Sequence, residues 1–342
     1  MNKIYIISVL ILGSFLLPVQ AQTVSNYKIV NKIHLEGDEK WDYLYSDDAA
    51  SVLYVSHGSI VQVIDETTGK LTGTISGMKG VHGIAIVSEL GKGYISSGKD
   101  TLVTVFDTKT LKVITRFQVT GLGPDAIYYD SFSKKVFTCN GKSKNLSVIN
   151  PASDKVIATI PVDGKPEGCV SDGKGKVYVN FEVESKICQI NSATLKVENV
   201  WPLAPGEGPT GLALDNETHR LFSACDNKML VVVDAETGKV VTTVPIGENV
   251  DGAAFDPERK CVYTSNGEGT MTVIEEDNKG SFEVEENFKT QKGAKTIAVN
   301  KITHHIYMST SDMKGADDDD KPKAKPKIVP GTFVVLDIAP LK

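Results

Sequence analysis

The cysteines of this 342-residue sequence are few and never closely spaced. None of the five lies in a C-x-x-C pair, which excludes a zinc ribbon, a thioredoxin-like motif and c-type haem attachment. The five are Cys139, Cys169, Cys188, Cys225 and Cys261, and most of them fall at predicted strand positions among apolar neighbours. We therefore interpret them as buried thiols, with a single disulfide in an oxidising compartment as the alternative.

The chain also lacks a basic excess. It carries 37 Lys and Arg residues against 43 Asp and Glu residues, a formal net charge of −6. This is not the electrostatic footprint of a nucleic-acid-binding protein, so we expect no nucleic-acid partner. No polybasic segment is strong enough to hold an anionic membrane surface, and no apolar run beyond the N-terminus reaches spanning length. We therefore expect no membrane insertion.

Familiar catalytic motifs are missing as well. The sequence contains no G-x-S-x-G elbow, no P-loop, no H-E-x-x-H pair and no G-x-G-x-x-G that follows a strand and opens a helix. A Ser-His-Asp triad would have to be assembled from distant residues that no local motif connects. These absences favour a non-enzymatic protein, and the sequence identifies no cofactor with certainty.

The first long apolar run is typical of a secretory signal. Lys3 precedes an apolar stretch from Ile4 to Leu17, and Val19-Gln20-Ala21 supplies the small-x-small pattern of a cleavage site. We predict a signal peptide over residues 1–21, cleavage after Ala21, and export to the periplasm or the extracellular space. The remaining residues, 22–342, are predicted to form one soluble domain.

A repeat slightly longer than forty residues runs through the rest of the chain. The recurring pattern is a short apolar strand, a strand that opens with an aromatic residue, a V-x-V-hydrophobic-Asp strand and a fourth strand after a Thr/Gly-Lys turn. The residue before the first strand recurs at intervals of 40 to 44 residues: Asp42, His82, Asp125, Glu167, Thr210, Asp251 and Lys295. Evenly spaced short strands are typical of a radial β array, and no segment carries a sustained helical period.

The two ends of the chain complement each other. The last repeat has strands near Thr296–Val299, His305–Ser309 and Phe333–Asp337, and the chain stops before a fourth. The segment from Lys28 to Leu35 has the pattern of a fourth strand. We therefore predict an all-β, seven-bladed β-propeller with four-stranded antiparallel blades, closed by an N-terminal strand that completes blade seven and removes an exposed sheet edge.

The repeat resembles that of the YVTN-repeat, or YncE-like, propellers. The family's Tyr-Val-Thr-Asn step corresponds here to Tyr54–His57, Tyr94–Ser97 and Tyr263–Asn266, and the resemblance spans nearly all of the mature chain. It implies a periplasmic or surface propeller that is often non-enzymatic and akin to propellers of some cofactor-dependent dehydrogenases. A DNA-binding role is also attached to the family, and the acidic balance of this chain argues against it.

The predicted propeller places two positions of each blade at the top of a central channel, the residue before the first strand and the end of the second strand. We expect this channel mouth to bind a ligand through Asp42, His57, His82, Asp125, Glu167, Thr210, Asp251 and Lys295. Five of these combine imidazole and carboxylate groups and are candidate ligands for a divalent metal: Asp42, His57, His82, Asp125 and Glu167. The alternative is that polar residues only solvate the rim, and Asp251 and Lys295 then form a simple salt bridge.

The last repeat carries a long insertion. Residues 311–331 separate its second and third strands and include Asp317–Asp320 followed by a Lys-Pro run. Such a composition does not pack a core, so we predict a mobile loop on the top face. It is either a lid or partner-docking segment, or a tolerated surface insertion.

Three functional hypotheses follow from these patterns. The first is a non-enzymatic exported propeller that binds an unidentified protein or small-molecule ligand, or a metal, at the top of its channel. The second is a metal-dependent hydrolase or lactonase that uses the acidic and histidine side chains of the mouth. The third is an accessory propeller subunit of a periplasmic redox enzyme.

Overall fold

The computed structural model describes residues 25–277, 280–315 and 327–341. Within them the chain forms thirty β-strands and one short 3₁₀ turn at Ser88–Leu90. In this described part of the chain, no helix is long and apolar enough to cross a membrane. The predicted signal peptide, residues 1–21, lies outside it.

The strands follow one another in groups of four. After β1 (Tyr27–His34), blade 1 contains β2 (Trp41–Asp47), β3 (Val52–His57), β4 (Ile60–Asp65) and β5 (Lys70–Ile75). Blade 2 contains β6 (Val81–Val87), β7 (Lys92–Ser97), β8 (Leu102–Asp107) and β9 (Val113–Gln118). Blade 3 contains β10 (Pro124–Asp130), β11 (Lys135–Asn140), β12 (Asn145–Asn150) and β13 (Lys155–Pro161).

The same pattern continues to the end of the chain. Blade 4 contains β14 (Pro166–Ser171), β15 (Lys176–Phe181), β16 (Lys186–Asn191) and β17 (Lys196–Pro202). Blade 5 contains β18 (Pro209–Asp215), β19 (Arg220–Cys225), β20 (Met229–Asp234) and β21 (Val240–Pro245). Blade 6 contains β22 (Val250–Asp256), β23 (Cys261–Asn266), β24 (Thr270–Glu276) and β25 (Phe282–Lys289). The last strands are β26 (Thr296–Val299), β27 (Ile306–Thr310), β28 (Met313–Lys314), β29 (Lys327–Ile328) and β30 (Val334–Pro340).

The first strand of the chain closes the ring. Blade 7 has the strand order β26, β27, β30, β1, and β1 pairs antiparallel with β30 from Tyr27 opposite Pro340 to His34 opposite Val334. The seven-bladed propeller and its closure by the N-terminal strand are therefore confirmed. Strand β26 lies innermost in blade 7 and contacts the inner strands β22 and β2 of the two neighbouring blades.

The core lies between the blades. The second and third strands of each blade are buried on both faces because each sheet is covered by a neighbouring sheet on either side. Outer strands such as β13 alternate between buried or half-buried and exposed residues, since only one of their faces meets the next blade. Aromatic rings join adjacent blades, as between Tyr54 and Phe106, whose centroids are 5.7 Å apart.

The five cysteines are free thiols. Cys169 is half-buried in an inner strand, and the other four are buried. They pack among aliphatic and aromatic residues, as Cys139 and Cys188 do in the core cluster of blades 3 and 4.

The insertion in blade 7 begins and ends on a short ladder. Strands β28 and β29 pair antiparallel, with Met313 opposite Ile328. Residues 316–326 lie outside the described part of the chain, so the mobility predicted for the loop at 311–331 stays a prediction. Beyond the ladder, the Gly331 N–H donates a hydrogen bond of 2.9 Å to Asp38 Oδ1, which ties the insertion to the segment that enters blade 1.

Candidate binding site at the channel mouth

The backbone of the mouth is held by hydrogen bonds across most of the blade boundaries. In three blades a buried serine of the second strand donates to the backbone oxygen of the next mouth residue. These pairs, whose donors we call the interblade serines, are Ser56 with His82, Ser96 with Asp125, and Ser265 with Lys295. Asn180 bonds to the carbonyl of Thr210 in the same way, and Thr296 Oγ1 donates to the carbonyl of Asp42 over 2.9 Å. The mouth side chains therefore project from a fixed ring.

Three mouth side chains from consecutive blades converge. His82 Nδ1 lies 2.5 Å from Asp42 Oδ2 and 3.6 Å from Asp125 Oδ1. One donor atom from each of these residues lies within 4.8 Å of the other two. Among the described residues, this set, which we call the mouth cluster, is the group of three or more His, Cys, Asp or Glu side chains with the spacing of a metal site.

The orientation of His82 is set by its neighbours on both sides. Its Nδ1 faces Asp42 and Asp125, and its Nε2 packs against Gly98, where an added Cβ would lie only 2.7 Å away. Burial alone would lower the pKa of His82, but the hydrogen bond with Asp42 and the charge of Asp125 raise it above its ordinary value. The two carboxylates therefore favour the protonated form of the imidazole that lies between them.

The carboxyl groups of the next two blades are crowded. Burial, together with the charge of Asp42, raises the pKa of Asp125 to about 6. Burial and the charge of Asp125 raise the pKa of Glu167 to about 8, against the opposing effect of Lys165. Lys165 Nζ lies 3.3 Å from Glu167 Oε2, but it also pairs with Glu182, and Glu167 Oε2 is buried without a hydrogen bond. The negative charge at this side of the mouth is thus incompletely compensated.

The charges on the opposite side of the mouth balance each other. Lys295 Nζ lies 2.8 Å from Asp251 Oδ2, across the boundary between blades 6 and 7. This is the interblade salt bridge considered for these two residues. Burial lowers and the charge of Asp251 raises the pKa of Lys295, with a net increase, so the ammonium group stays charged.

Tyr43 is a functional candidate that the repeat pattern did not identify. It follows Asp42 at the position where blades 2, 4, 5 and 6 have glycine, and where an added Cβ on Gly211 would lie 2.4 Å from the next inner strand. Its side chain extends from blade 1 to pack against the core cluster of blades 3 and 4. Burial, followed by the charges of Asp125 and Glu167, raises the pKa of its phenol. Tyr43 therefore crosses the channel beneath the acidic mouth.

His57 does not join the mouth cluster, so its inclusion among the metal ligands is corrected. Its ring is 1% exposed and stacks on Phe333, with centroids 3.8 Å apart. Nδ1 lies 3.0 Å from Gln62 Oε1, and Nε2 lies 3.1 Å from the backbone oxygen of Glu39. Both ring nitrogens are therefore engaged in the protein interior, and His57 has a packing role.

Thr210 is also turned away from the mouth. It is buried, and its hydroxyl donates to the backbone oxygen of Val250 over 3.3 Å. It connects blades 5 and 6 rather than offering a group to a ligand. The structure therefore keeps six of the eight predicted mouth residues in place: Asp42, His82, Asp125, Glu167, Asp251 and Lys295.

A cavity of about 560 Å³ opens above one side of the mouth cluster. Asp42, His82, Lys99 and Lys295 line it, and Ile328 of the insertion borders it. The described end of the insertion at Ile328 therefore lies beside the mouth. A second cavity of about 160 Å³, within the channel, is lined by Tyr43 and by the glycines of the inner strands. Ionisable and apolar groups thus meet in a concave site.

Comparisons with known proteins agree with the fold. No family model matches the sequence. The chain is 24% identical over 234 residues to Antigen Lp49 of Leptospira interrogans, which covers 65% of this chain and 49% of that protein. It is 25% identical over 192 residues to the uncharacterized protein YncE of Salmonella typhimurium, covering 50% of each, and 24% identical over the same length to YncE of Salmonella typhi. The chain spans about half the length of the curated relatives it matches.

A solved structure also has a similar fold. Hydrazine synthase of Kuenenia stuttgartiensis superposes with a TM-score of 0.72 at 14% identity, over 80% of this chain and 94% of that chain. At this identity the likeness shows the fold alone. With seven four-stranded blades closed by β1 and relatives that include YncE, the chain is a YncE-like seven-bladed β-propeller.

Proposed function

We propose that the protein is exported and acts as a non-enzymatic binding propeller, and that it binds a small polar ligand at the mouth of its channel. One observation carries the proposal: ionisable side chains from six blades surround one end of the channel, and those of blades 1, 2 and 7 border a cavity of about 560 Å³ there. Binding sites commonly combine such concavity with a few converging polar groups.

The charge distribution favours a ligand with a positively charged group. Asp42 and Asp125 share one imidazole, and Glu167 shares Lys165 with Glu182. A cationic group in the mouth would compensate these carboxylates without displacing a salt bridge. Tyr43 below them limits how far such a ligand enters the channel.

Thermal unfolding of the mature protein, residues 22–342, tests the proposal. A panel of small amines, amino acids, carboxylates and divalent metal ions should include at least one member that raises Tm, because a ligand that binds only the folded state stabilises it by mass action. The increase should be lost in the double variant Asp42→Asn/Asp125→Asn. It should persist in Asp48→Asn, a matched control at the opposite end of the channel.

The result that contradicts the proposal is equally specific. If no member of the panel raises Tm, or if every increase survives in the double variant, the mouth is a solvated rim and not the binding site. A control for folding is the Tm of the double variant without ligand.

Metal-dependent hydrolysis of a lactone or an ester is the second candidate, because the mouth cluster borders an open cavity. It predicts turnover by zinc-loaded protein that is abolished in His82→Gln. Such turnover would replace the non-enzymatic proposal, and its absence across aliphatic lactones and aryl esters would eliminate this candidate.

A further inference from the structure

We propose that Asp42, His82 and Asp125 form a binding site for one divalent first-row transition-metal ion. This inference rests on the proposed function, because it names the class of ion that enters the same channel mouth. The three side chains come from β2, β6 and β10, which are the inner strands of three consecutive blades.

The spacing of the donor atoms fits such an ion. Bonds from zinc to imidazole nitrogen and carboxylate oxygen are about 2.0–2.2 Å long, so the donor atoms of a tetrahedral site lie roughly 3.3–3.6 Å apart. His82 Nδ1 and Asp125 Oδ1 are already 3.6 Å apart. The 2.5 Å separation between His82 Nδ1 and Asp42 Oδ2 is that of a hydrogen bond and would widen by rotation of the Asp42 carboxylate as the ion replaces the shared proton.

The backbone beneath the three side chains is preorganised. The interblade serines Ser56 and Ser96 hold the carbonyls of His82 and Asp125, and Thr296 holds that of Asp42. Gly98 packs against the opposite edge of the His82 ring and leaves Nδ1 directed at the carboxylates. Only the side chains of Asp42 and Asp125 have to adjust when an ion binds.

The nearby lysines Lys165 and Lys295 form their salt bridges with carboxylates outside the mouth cluster. Lys295 is paired with Asp251, and Lys165 is shared by Glu167 and Glu182. Asp42 and Asp125 have His82 alone between them, and the carboxylates of Glu167 and Asp251 lie further round the ring. A divalent ion at the mouth cluster therefore brings charge compensation that the described side chains do not provide.

The donor set selects the class of ion. One imidazole nitrogen with two carboxylate oxygens suits zinc, manganese or ferrous iron. Calcium and magnesium prefer oxygen donors alone, and magnesium also retains most of its water. We therefore expect zinc and manganese to bind more tightly than magnesium or calcium.

Isothermal titration calorimetry of the untagged, chelator-treated mature protein tests the site. Zinc and manganese should each bind with a stoichiometry near one, and Asp42→Asn, His82→Gln and Asp125→Asn should each lower the affinity at least tenfold. Asp48→Asn removes a carboxylate at the opposite end of the channel and should keep the affinity within about threefold. The quadruple variant Asp317→Asn/Asp318→Asn/Asp319→Asn/Asp320→Asn should also keep the affinity, which would exclude the acidic run of the insertion as the binder.

Absorption spectroscopy of the cobalt-bound protein is a second measurement, and it does not rely on the heat of binding. Cobalt bound to the wild-type protein should give visible absorption bands that change in Asp125→Asn, with both proteins checked for equal Tm. The proposed metal site is overturned if zinc and manganese show no saturable binding, or if His82→Gln leaves their binding unchanged. An organic ligand that still raises Tm in that case leaves the proposed function standing, whereas the absence of any ligand overturns both.

Discussion

His82 of blade 2 donates a hydrogen bond of 2.5 Å to the carboxylate of Asp42 in blade 1, and the two residues lie at equivalent positions of successive repeats. The contact joins two blades at the innermost ring of the propeller, where their inner strands are neighbours. It makes the blade boundary part of the candidate binding site. Changes at the mouth are therefore expected to alter stability as well as binding.

The first prediction concerns this contact. His82→Gln removes the imidazole between Asp42 and Asp125. It is expected to lower the free energy of unfolding by about 1–3 kcal/mol, the usual cost of losing a hydrogen bond to a charged group in a partly buried site. Urea unfolding in the presence of a chelator measures it. His34→Gln, on the exposed outer strand, is the control and should change stability by less than about 0.5 kcal/mol. Equal effects of the two variants would contradict the role given to His82.

The interblade serines give a second prediction. Ser96→Ala removes the donor to the Asp125 carbonyl and should cost about 0.5–1.5 kcal/mol of stability. Zinc affinity should fall at the same time, since the Asp125 backbone is no longer held in the ring. Ser153→Ala, at an exposed turn, serves as the control for both measurements. A loss of stability without any loss of affinity would show that the serine does not position the mouth.

Tyr43 provides a third prediction. Tyr43→Ala leaves a void across the channel and is expected to destabilise the protein by about 2–4 kcal/mol. This is somewhat less than the usual cost of removing a fully buried aromatic ring, because Tyr43 is half-buried. Tyr43→Phe keeps the ring and should cost less than about 1 kcal/mol. Chemical denaturation of both variants is the measurement. If the two variants are equally destabilised, the hydroxyl rather than the packing of the ring is what matters.

Closure of the ring gives a fourth prediction. Tyr27 is buried in the last interblade core, with its ring 6.0 Å from that of Tyr263, so Tyr27→Ala should cost about 3–5 kcal/mol. The exposed Val30 of the same strand should tolerate alanine with a change below about 0.5 kcal/mol. Thermal and urea unfolding compare the two variants. A small effect of Tyr27→Ala would mean that β1 contributes little to closure.

The fifth prediction is a pH dependence of the metal-free protein. The pKa of Glu167 is raised by burial and by Asp125 to about 8 in the folded state, above its ordinary 4.5, so the folded state binds the proton more tightly. This group therefore reduces stability as pH rises from about 4.5 to about 8, and the reduction is constant above that range. Glu167→Gln stays neutral and should be more stable than wild type at pH 8.5, with the difference vanishing near pH 5. Urea unfolding across this range checks it, and a pH-independent difference would contradict the assignment.

Much of the fold was predictable because a propeller is built from local repetition. The interval of 40 to 44 residues predicts the blades, and the missing fourth strand of the last repeat predicts closure by the N-terminus. The strands of the last repeat were placed within a few residues of their ends, as with His305–Ser309 against the observed Ile306–Thr310. The adjacency of Asp42, His82 and Asp125 follows as well, since equivalent residues of successive blades must meet around the channel.

Other features of the site depend on contacts between distant parts of the chain. His57 occupies a predicted mouth position, yet Phe333 from the far end of the sequence and the backbone at Glu39 enclose its ring. Tyr43 crosses to blades 3 and 4, and only the narrow width of the channel makes that contact possible. The hint present in the sequence is that glycine stands at the Tyr43 position in four other blades.

By itself, then, the sequence determined the architecture of this protein: the number of blades, the closing strand and the ring of residues at the mouth. These properties repeat along the chain, and each depends on hydrophobic alternation within a few strands. The tertiary structure alone decided which side chains of that ring face one another, which are enclosed by the core, and which share a counter-ion. Those outcomes depend on distances and burial that arise only when the first and last strands meet and the channel takes its width.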